Sequence, residues 1–333
     1  MTDRDGLGWG ILATGHIAGD FTRDLHDAGL RVAAVGSRTT ERARSFAAEH
    51  DVPNAHGTWE ALVSDPSVDV VYVATPHPAH AEAALLALEH GKHVLVEKPF
   101  TLNAREAEAV VHLARARGLV ALEAMWTRWL PHMLEIHEVL RSGEIGDPQL
   151  LLADHTQSLP KDPGHRINDP ALGGGALLDL GVYPISFAVD LFGLPADVQV
   201  AATFTTTGVD QRVSGTFVHD DGRHTVFSTA SDLKGPNRAA IVATGGSIDI
   251  DPVWYTPTGY TVRDERGEVV RTGRPATSGR GMQYQALELE RLVREGRTES
   301  ERLPAAQVVG IMALLDEIRR RIGLVYPGEA TQG

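Results

Sequence analysis

The 333-residue sequence contains no cysteine. Disulfides, thiolate zinc sites, iron–sulfur ligation and cysteine nucleophiles are excluded together, and a cytoplasmic location is expected of such a composition. A basic excess is also missing. The formal net charge is −13 with no long basic run, so no nucleic-acid partner is expected. No apolar stretch approaches the roughly 20 residues that span a bilayer, so no membrane partner is expected either. The start, MTDRDGLG, carries Asp3, Arg4 and Asp5 and does not read as a signal peptide. There are no internal repeats and no low-complexity tracts. What is there is ordinary for a globular chain, 42% hydrophobic and 23% charged, and long enough for about two domains. Only the tail, residues 328–333, is too polar and small to expect order.

Along residues 1–126, short apolar runs alternate with helical spacing. Residues 7–13, 31–36, 68–74, 94–96 and 119–125 read as strands, and residues 41–50, 59–63, 79–90 and 103–117 as helices. That alternation implies βαβ crossovers and a mostly parallel, doubly wound sheet. The first strand runs into Ala13-x-Gly15-x-x-Ala18, a variant of the G-x-G-x-x-G dinucleotide fingerprint. Gly15 lets the backbone approach a pyrophosphate, and the helix start beyond it offers free N–H groups. Thr14, Gly15, His16 and Ile17 are therefore candidate cofactor residues, while Ala13 departs from the glycine rule. The second strand ends in Gly36-Ser37-Arg38-Thr39, with no acid for a ribose 2′-hydroxyl. Arg38 can pair with a 2′-phosphate, and Ser37 or Thr39 can donate to one, which favours NADP(H) over NAD(H).

Thr75-Pro76-His77-Pro78-Ala79-His80 follows the third of these strands, and its prolines stiffen a loop at the ligand crevice. Cofactor contact from Thr75, Pro76, His77 and His80 is expected. Two histidines without further ligands do not make a metal site, and no metal is expected. The next strand ends in Glu97-Lys98-Pro99. Pro99 cannot join a ladder, so Lys98 stands at the carboxyl end of the strand, where open α/β sheets bind ligands.

In residues 127–333 the pattern changes. Residues 133–140 read as a helix, and its neighbourhood holds His132 and His137, two ordinary histidines. Residues 161–170, KDPGHRINDP, read as an irregular binding loop in which Arg166 reaches substrate or is simply solvated. Gly173-Gly174-Gly175 lets the chain pass close to a ligand, and residues 176–192 form an apolar helix with Asp179 and Tyr183 on one face. Short alternating runs from Val198 to Thr272 indicate an antiparallel sheet, and residues 282–294 and 305–322 are terminal amphipathic helices.

Gly10-Ile11-Leu12-Ala13-Thr14-Gly15-His16-Ile17-Ala18, Thr75-Pro76 with His80, and Glu97-Lys98-Pro99 together resemble the glucose–fructose oxidoreductase/inositol dehydrogenase/MocA (Gfo/Idh/MocA) family. The segments around Glu123-Ala-Met-Trp126-Thr-Arg128 and from Gly173 to Pro184 are most similar to its dihydrodiol dehydrogenase and NADP-dependent xylose dehydrogenase branch. The resemblance implies a Rossmann domain, residues 1–126, followed by an α+β domain, residues 127–333, with a large open, mostly antiparallel sheet. The last helix is allowed to pack back on the first domain. The resemblance implies a homodimer or homotetramer through that sheet, a cis bond at Lys98–Pro99, and Lys98, Asp179 and Tyr183 as catalytic residues, with Glu97 beside the cofactor. A phenol ionises near pH 10, but an ammonium beside it favours the phenolate, which suits Tyr183 as proton donor and acceptor. Trp126, Arg128, Arg166 and Tyr183 suit a polyhydroxylated small molecule. Two alternatives stay open: a glycosidase using bound NAD transiently, and a non-catalytic nucleotide or sugar binder.

Overall fold

The computed structural model describes residues 6–329. The chain divides into two compact units. The first runs through Trp126 and takes back Ser278–Met312; the second is Thr127–Thr277 with the chain from Ala313 onward.

The first unit holds a six-stranded sheet of β1 (Trp9–Leu12), β2 (Val32–Gly36), β3 (Asn54–His56), β4 (Val70–Val73), β5 (His93–Glu97) and β6 (Ala121–Ala124). Its order is β3-β2-β1-β4-β5-β6 and every pairing is parallel. This is the doubly wound nucleotide-binding arrangement, and its strands read as apolar runs because helices cover both faces. The crossovers use α1 (His16–Asp27), α2 (Thr40–Glu49), α3 (Trp59–Val63), α4 (His80–Glu89) and α5 (Ala104–Arg117). Local chemistry sets their ends. Thr39, Thr58 and Asn103 each accept a backbone N–H from the first turn of the helix they precede, and Gly118 closes α5 in the left-handed region. The short edge strand β3 was not expected; its three residues are too few and too polar to show an apolar period.

The sequence reading placed 127–333 in the second domain and allowed only the last helix to pack back, whereas all of Ser278–Met312 belongs to the first unit. Buried carboxylates explain the return. Asp24 on α1 accepts the backbone N–H of Arg280 (3.0 Å) and of Met282 (2.8 Å), and Arg280 Nη1 donates to Asp20 Oδ2 at 2.5 Å. Along α8 (Gln283–Arg294), Glu290 accepts from Trp9 Nε1 at 3.0 Å. Gly279 lies in the left-handed region, and a Cβ there would collide with Asp24 Oδ1.

The second unit begins with α6 (Pro131–Ser142) and is built on an eight-stranded sheet. Its strands are β7 (Pro148–Thr156), β8 (Asp197–Phe204), β9 (Asp210–Val218), β10 (His224–Ala230), β11 (Ala239–Ala243), β12 (Gly246–Ile250), β13 (Tyr260–Asp264) and β14 (Val269–Gly273). The order is β14-β13-β12-β11-β7-β10-β9-β8, antiparallel except for β7 with β10. One face buries Leu151, Ala153, Phe217, Phe227 and Ile241 beneath α7 (Val182–Phe192) and the turn that precedes it. On the other, Leu152, Val226 and Val242 stay exposed. The stretch Pro170–Phe192 is long and apolar enough to cross a membrane, but 83% of its most apolar window is buried, as in a core helix.

The last helix, α9 (Ala305–Ile322), leads into a tail that is held down through Glu329, contrary to expectation. Arg319 donates to Glu329 at 2.6 and 3.0 Å and to Asp316 at 2.6 Å. Residues 330–333 of the expected loose tail, and residues 1–5 at the start, lie outside the described residues.

Candidate active site

In the first unit the dinucleotide turn lies between β1 and α1. Ala13 adopts φ +93, a conformation that glycine takes without cost. That is the price of the missing first glycine. Gly15 precedes α1 with no side chain capping the helix, and a Cβ on it would meet nothing within 4 Å. Open space before an uncapped helix start fits a pyrophosphate. Thr14 Oγ1 and Ser37 Oγ come together at 3.4 Å across the ends of β1 and β2. Ser37 is buried, Arg38 is exposed, and Thr39 is occupied in capping α2 through Arg42 N–H. The arrangement fits a dinucleotide whose ribose ends beside Ser37 and Arg38.

The loops after β4 and β5 are stitched by one imidazole. His80 Nδ1 lies 2.8 Å from Pro99 O and Nε2 2.9 Å from Thr75 O, so the neutral ring donates to one of these carbonyls and only the imidazolium donates to both. Full burial, with Lys98 adding to it, pushes the His80 pKa down. His80 thus holds the loops that present Lys98 and Thr75 and does not itself face a ligand. Glu97 is also turned inward. Its carboxylate accepts from Tyr72 OH and from Lys98 N–H, so its part in the E-K-P triplet is to seat the lysine. The Lys98–Pro99 bond is cis. Glu123 on β6 accepts Phe100 N–H at 3.0 Å and fixes the chain just past it.

Sequence reasoning missed Arg280. Its guanidinium lies 5.9 Å from the centre of the Trp126 ring, and its donation to Asp20 joins a cluster with Arg23 and His16 on α1. An acid beside the phosphate turn is thereby neutralised. Only the bare motif G-R-G-M marked the residue, and that carries no period.

In the second unit Leu177–Gly181 forms a π-helical turn that runs directly into α7. Such turns use i→i+5 bonds, so Asp179 and Tyr183, four residues apart, leave the chain on the same side. Both are mostly buried. Arg166, half exposed, donates to Asp179 at 3.3–3.4 Å. Arg166 therefore comes to the same place through the carboxylate. Two of the three glycines are needed for packing within the protein. A Cβ on Gly174 would lie 2.6 Å from Ile167 O, and one on Gly175 would collide with Asp210, so the close approach is to the protein's own loop.

Tyr183 stands in an aromatic cluster. Its ring is edge-on to His155 (centroids 4.9 Å), and His155 stacks on Tyr255 at 3.7 Å. Gln157 Nε2 lies 2.9 Å from His155 Nε2 and also bonds the Tyr255 hydroxyl. Burial, with Tyr183 nearby, raises the Tyr255 pKa well above that of an ordinary phenol. His155, Gln157 and Tyr255 escaped the sequence reading because they fall on a strand and a loop with no motif between them.

Arg128 is placed elsewhere. It is 3% exposed, and its whole fork is spent inside the unit. Nη1 donates to Asp190 Oδ1 (2.7 Å), Nη2 to Ser186 O (2.8 Å), and Nε to Ser186 Oγ (3.1 Å). His137 Nε2 closes on the other Asp190 oxygen at 2.9 Å. The contacts of Arg128 pin α7. His132 is a packing residue, its pKa pushed down to about 4 by burial, with Nε2 3.1 Å from Trp254 O.

The family comparison agrees with this construction. Residues 7–124 match the model of an oxidoreductase family with an NAD-binding Rossmann fold, and residues 133–249 match the GFO/IDH/MocA C-terminal domain. The chain belongs to the Gfo/Idh/MocA oxidoreductase family. It is 36% identical over 332 residues to a trans-1,2-dihydrobenzene-1,2-diol dehydrogenase of Bos taurus, covering 96% of this chain and 98% of that one. The protein of the same name from Homo sapiens is 36% identical over 331 residues, with the same coverage. An aldose-aldose oxidoreductase from Caulobacter crescentus, solved with glycerol, superposes with a TM-score of 0.83 at 25% identity, covering 95% of this chain and 97% of that one. This family member is an oxidoreductase with an NAD-binding Rossmann domain.

Proposed function

We propose that this oxidoreductase transfers a hydride between NADP(H) and a secondary hydroxyl or carbonyl of a small cyclic diol or sugar. The π turn carries the reading: it sends a carboxylate and a phenol out on one side of an otherwise apolar helix. When bound, the nicotinamide supplies or accepts the hydride. Tyr183 takes the proton from the hydroxyl oxygen in oxidation and returns it in reduction. Lys98 is assigned the role of holding that oxygen, and Asp179, paired with Arg166, orients the acceptor. In the second unit the His155–Tyr255 stack beside Tyr183 offers flat faces to a ring, which supports a cyclic substrate. The names of the diol dehydrogenase and aldose oxidoreductase relatives support the same class. Arg38, exposed at the end of β2 with no acid beside it, supports NADP. The open face of the large sheet, with Leu152, Val226 and Val242 exposed, supports self-association into a dimer or tetramer.

The test is a screen of cyclic diols and aldoses with NADP and NAD, followed at the nicotinamide absorbance. Tyr183→Phe should then lower turnover on the order of 10²–10⁴-fold with NADPH affinity nearly intact. Lys98→Met should be at least as damaging. Glycoside cleavage without added cofactor, or full turnover in Tyr183→Phe, would overturn the proposal.

A further inference from the structure

A buried carboxyl lies directly behind the π turn and takes no part in the chemistry above. Asp210 opens β9 and is fully buried. Its Oδ2 accepts the Leu177 N–H at 2.6 Å, and the Ala176 N–H is also directed at the carboxyl. Oδ1 has no hydrogen-bond partner among the described residues. Gly175 sits so close to Oδ1, at φ +121, that no other residue fits there. Gly175 O in turn accepts the Asp179 N–H at 3.4 Å. The helix that carries Asp179 and Tyr183 has no cap from its own segment, and a residue on β9 supplies one. Behind it, Tyr326 OH donates to Gly174 O at 2.6 Å.

We propose that Asp210 is a positioning residue: through Leu177 and Gly175 its carboxyl sets the start of the helix, and with it the placement of Asp179 and Tyr183. The inference rests on those two residues acting on substrate as proposed above.

Two states of the carboxyl differ in how firmly they do this. As an anion, the carboxyl accepts the Leu177 N–H through a charged Oδ2, and charge roughly doubles the strength of the bond from an N–H. As the acid, the carboxyl no longer lends charge to the bond at Oδ2, and the cap weakens. Burial pushes the Asp210 pKa up to about 7, so both states are populated near neutrality. The charged and titratable groups around it are Arg319 on α9, Tyr326 and Glu329 in the tail, and Asp179 in the turn itself. Arg319 remains charged throughout, held by Asp316 and Glu329.

Asp210→Asn keeps an acceptor for Leu177 but cannot ionise. In the wild type kcat should rise through a limb near pH 7. In Asp210→Asn that limb should vanish, with kcat at pH 8 about tenfold lower, as expected for losing one charge-assisted bond of roughly 1.4 kcal/mol. KM for NADP should stay within about twofold, since α1 and β2 are untouched. A second readout needs no turnover: the Tyr183 resonance in tyrosine ring-13C-labelled protein, assigned with Tyr183→Phe. It should shift with a midpoint near pH 7 in the wild type and lose that shift in Asp210→Asn. If the protein turned over no diol or sugar while the resonance behaved as stated, the catalytic reading would fall and the positioning would stand. A kcat limb and a Tyr183 shift both unchanged in Asp210→Asn would overturn the inference.

Discussion

Arg128 offers the sharpest test of how the second unit is built, because the motif suggests one role and the packing another. Its guanidinium is 3% exposed and bonded to Asp190 and Ser186. In Arg128→Met, Asp190 loses its guanidinium partner while keeping His137, and Ser186 O loses the Arg128 donor in the core. Removing one partner of a buried pair costs about 3–5 kcal/mol. For a unit of this size that corresponds to a melting temperature lower by about 6–20 °C, at roughly 2–4 °C per kcal/mol. Arg128→Lys retains the charge but cannot span both residues, so its loss should fall between the two proteins. Urea unfolding at 25 °C, followed by tryptophan fluorescence and repeated with saturating NADPH, measures this directly. KM for the substrate should move little. Arg128→Met with wild-type stability and a tenfold higher KM would refute the reasoning and return Arg128 to the substrate.

Three further outcomes follow from the same geometry. Arg38→Ala should weaken NADPH binding about 10–100-fold, the value of a charge-assisted contact to phosphate, and leave NADH binding nearly unchanged in a fluorescence titration. Asp210 should also shape stability against pH. Its pKa is raised from 3.8 to about 7, so the folded chain keeps a proton that the unfolded chain has lost between those values. Stability should therefore fall from about pH 4 to about pH 7 by on the order of 4 kcal/mol from this group, and level off above. Urea midpoints of Asp210→Asn minus those of the wild type should climb across that window; a flat difference would contradict the raised pKa. Leu152→Asp, on the open face of the sheet, should shift sedimentation toward monomer without lowering the melting temperature.

The sheet of the first unit was legible because parallel strands covered on both faces leave unbroken apolar runs, such as Val70–Val73, between helices with ordinary caps. Asp179 and Tyr183 were legible as polar residues at helical spacing in an apolar stretch. What the sequence hid depends on partners far along the chain. Nothing in the spacing of Arg128 points to Ser186 and Asp190, and nothing in G-R-G-M points to Asp20 and Asp24. The π turn was read as plain α-helix because one inserted residue per turn leaves the apolar pattern almost unchanged. Asp210 looked like the polar start of a strand, and its burial depends on glycines 35 positions earlier that were read as making room for a ligand.

The return of Ser278–Met312 to the first unit bears on how the protein emerges from the ribosome. Trp9 and Asp24 are made within the first two dozen residues, yet their partners Glu290, Arg280 and Met282 arrive more than 250 residues later. At about 5–20 residues per second, the nucleotide-binding unit waits on the order of ten seconds or more for its last helix. During that wait residues 127–277 of the second unit are synthesised, and that unit in turn waits for the chain from Ala313 onward, so neither unit is complete until the segment beyond Thr277 has been made.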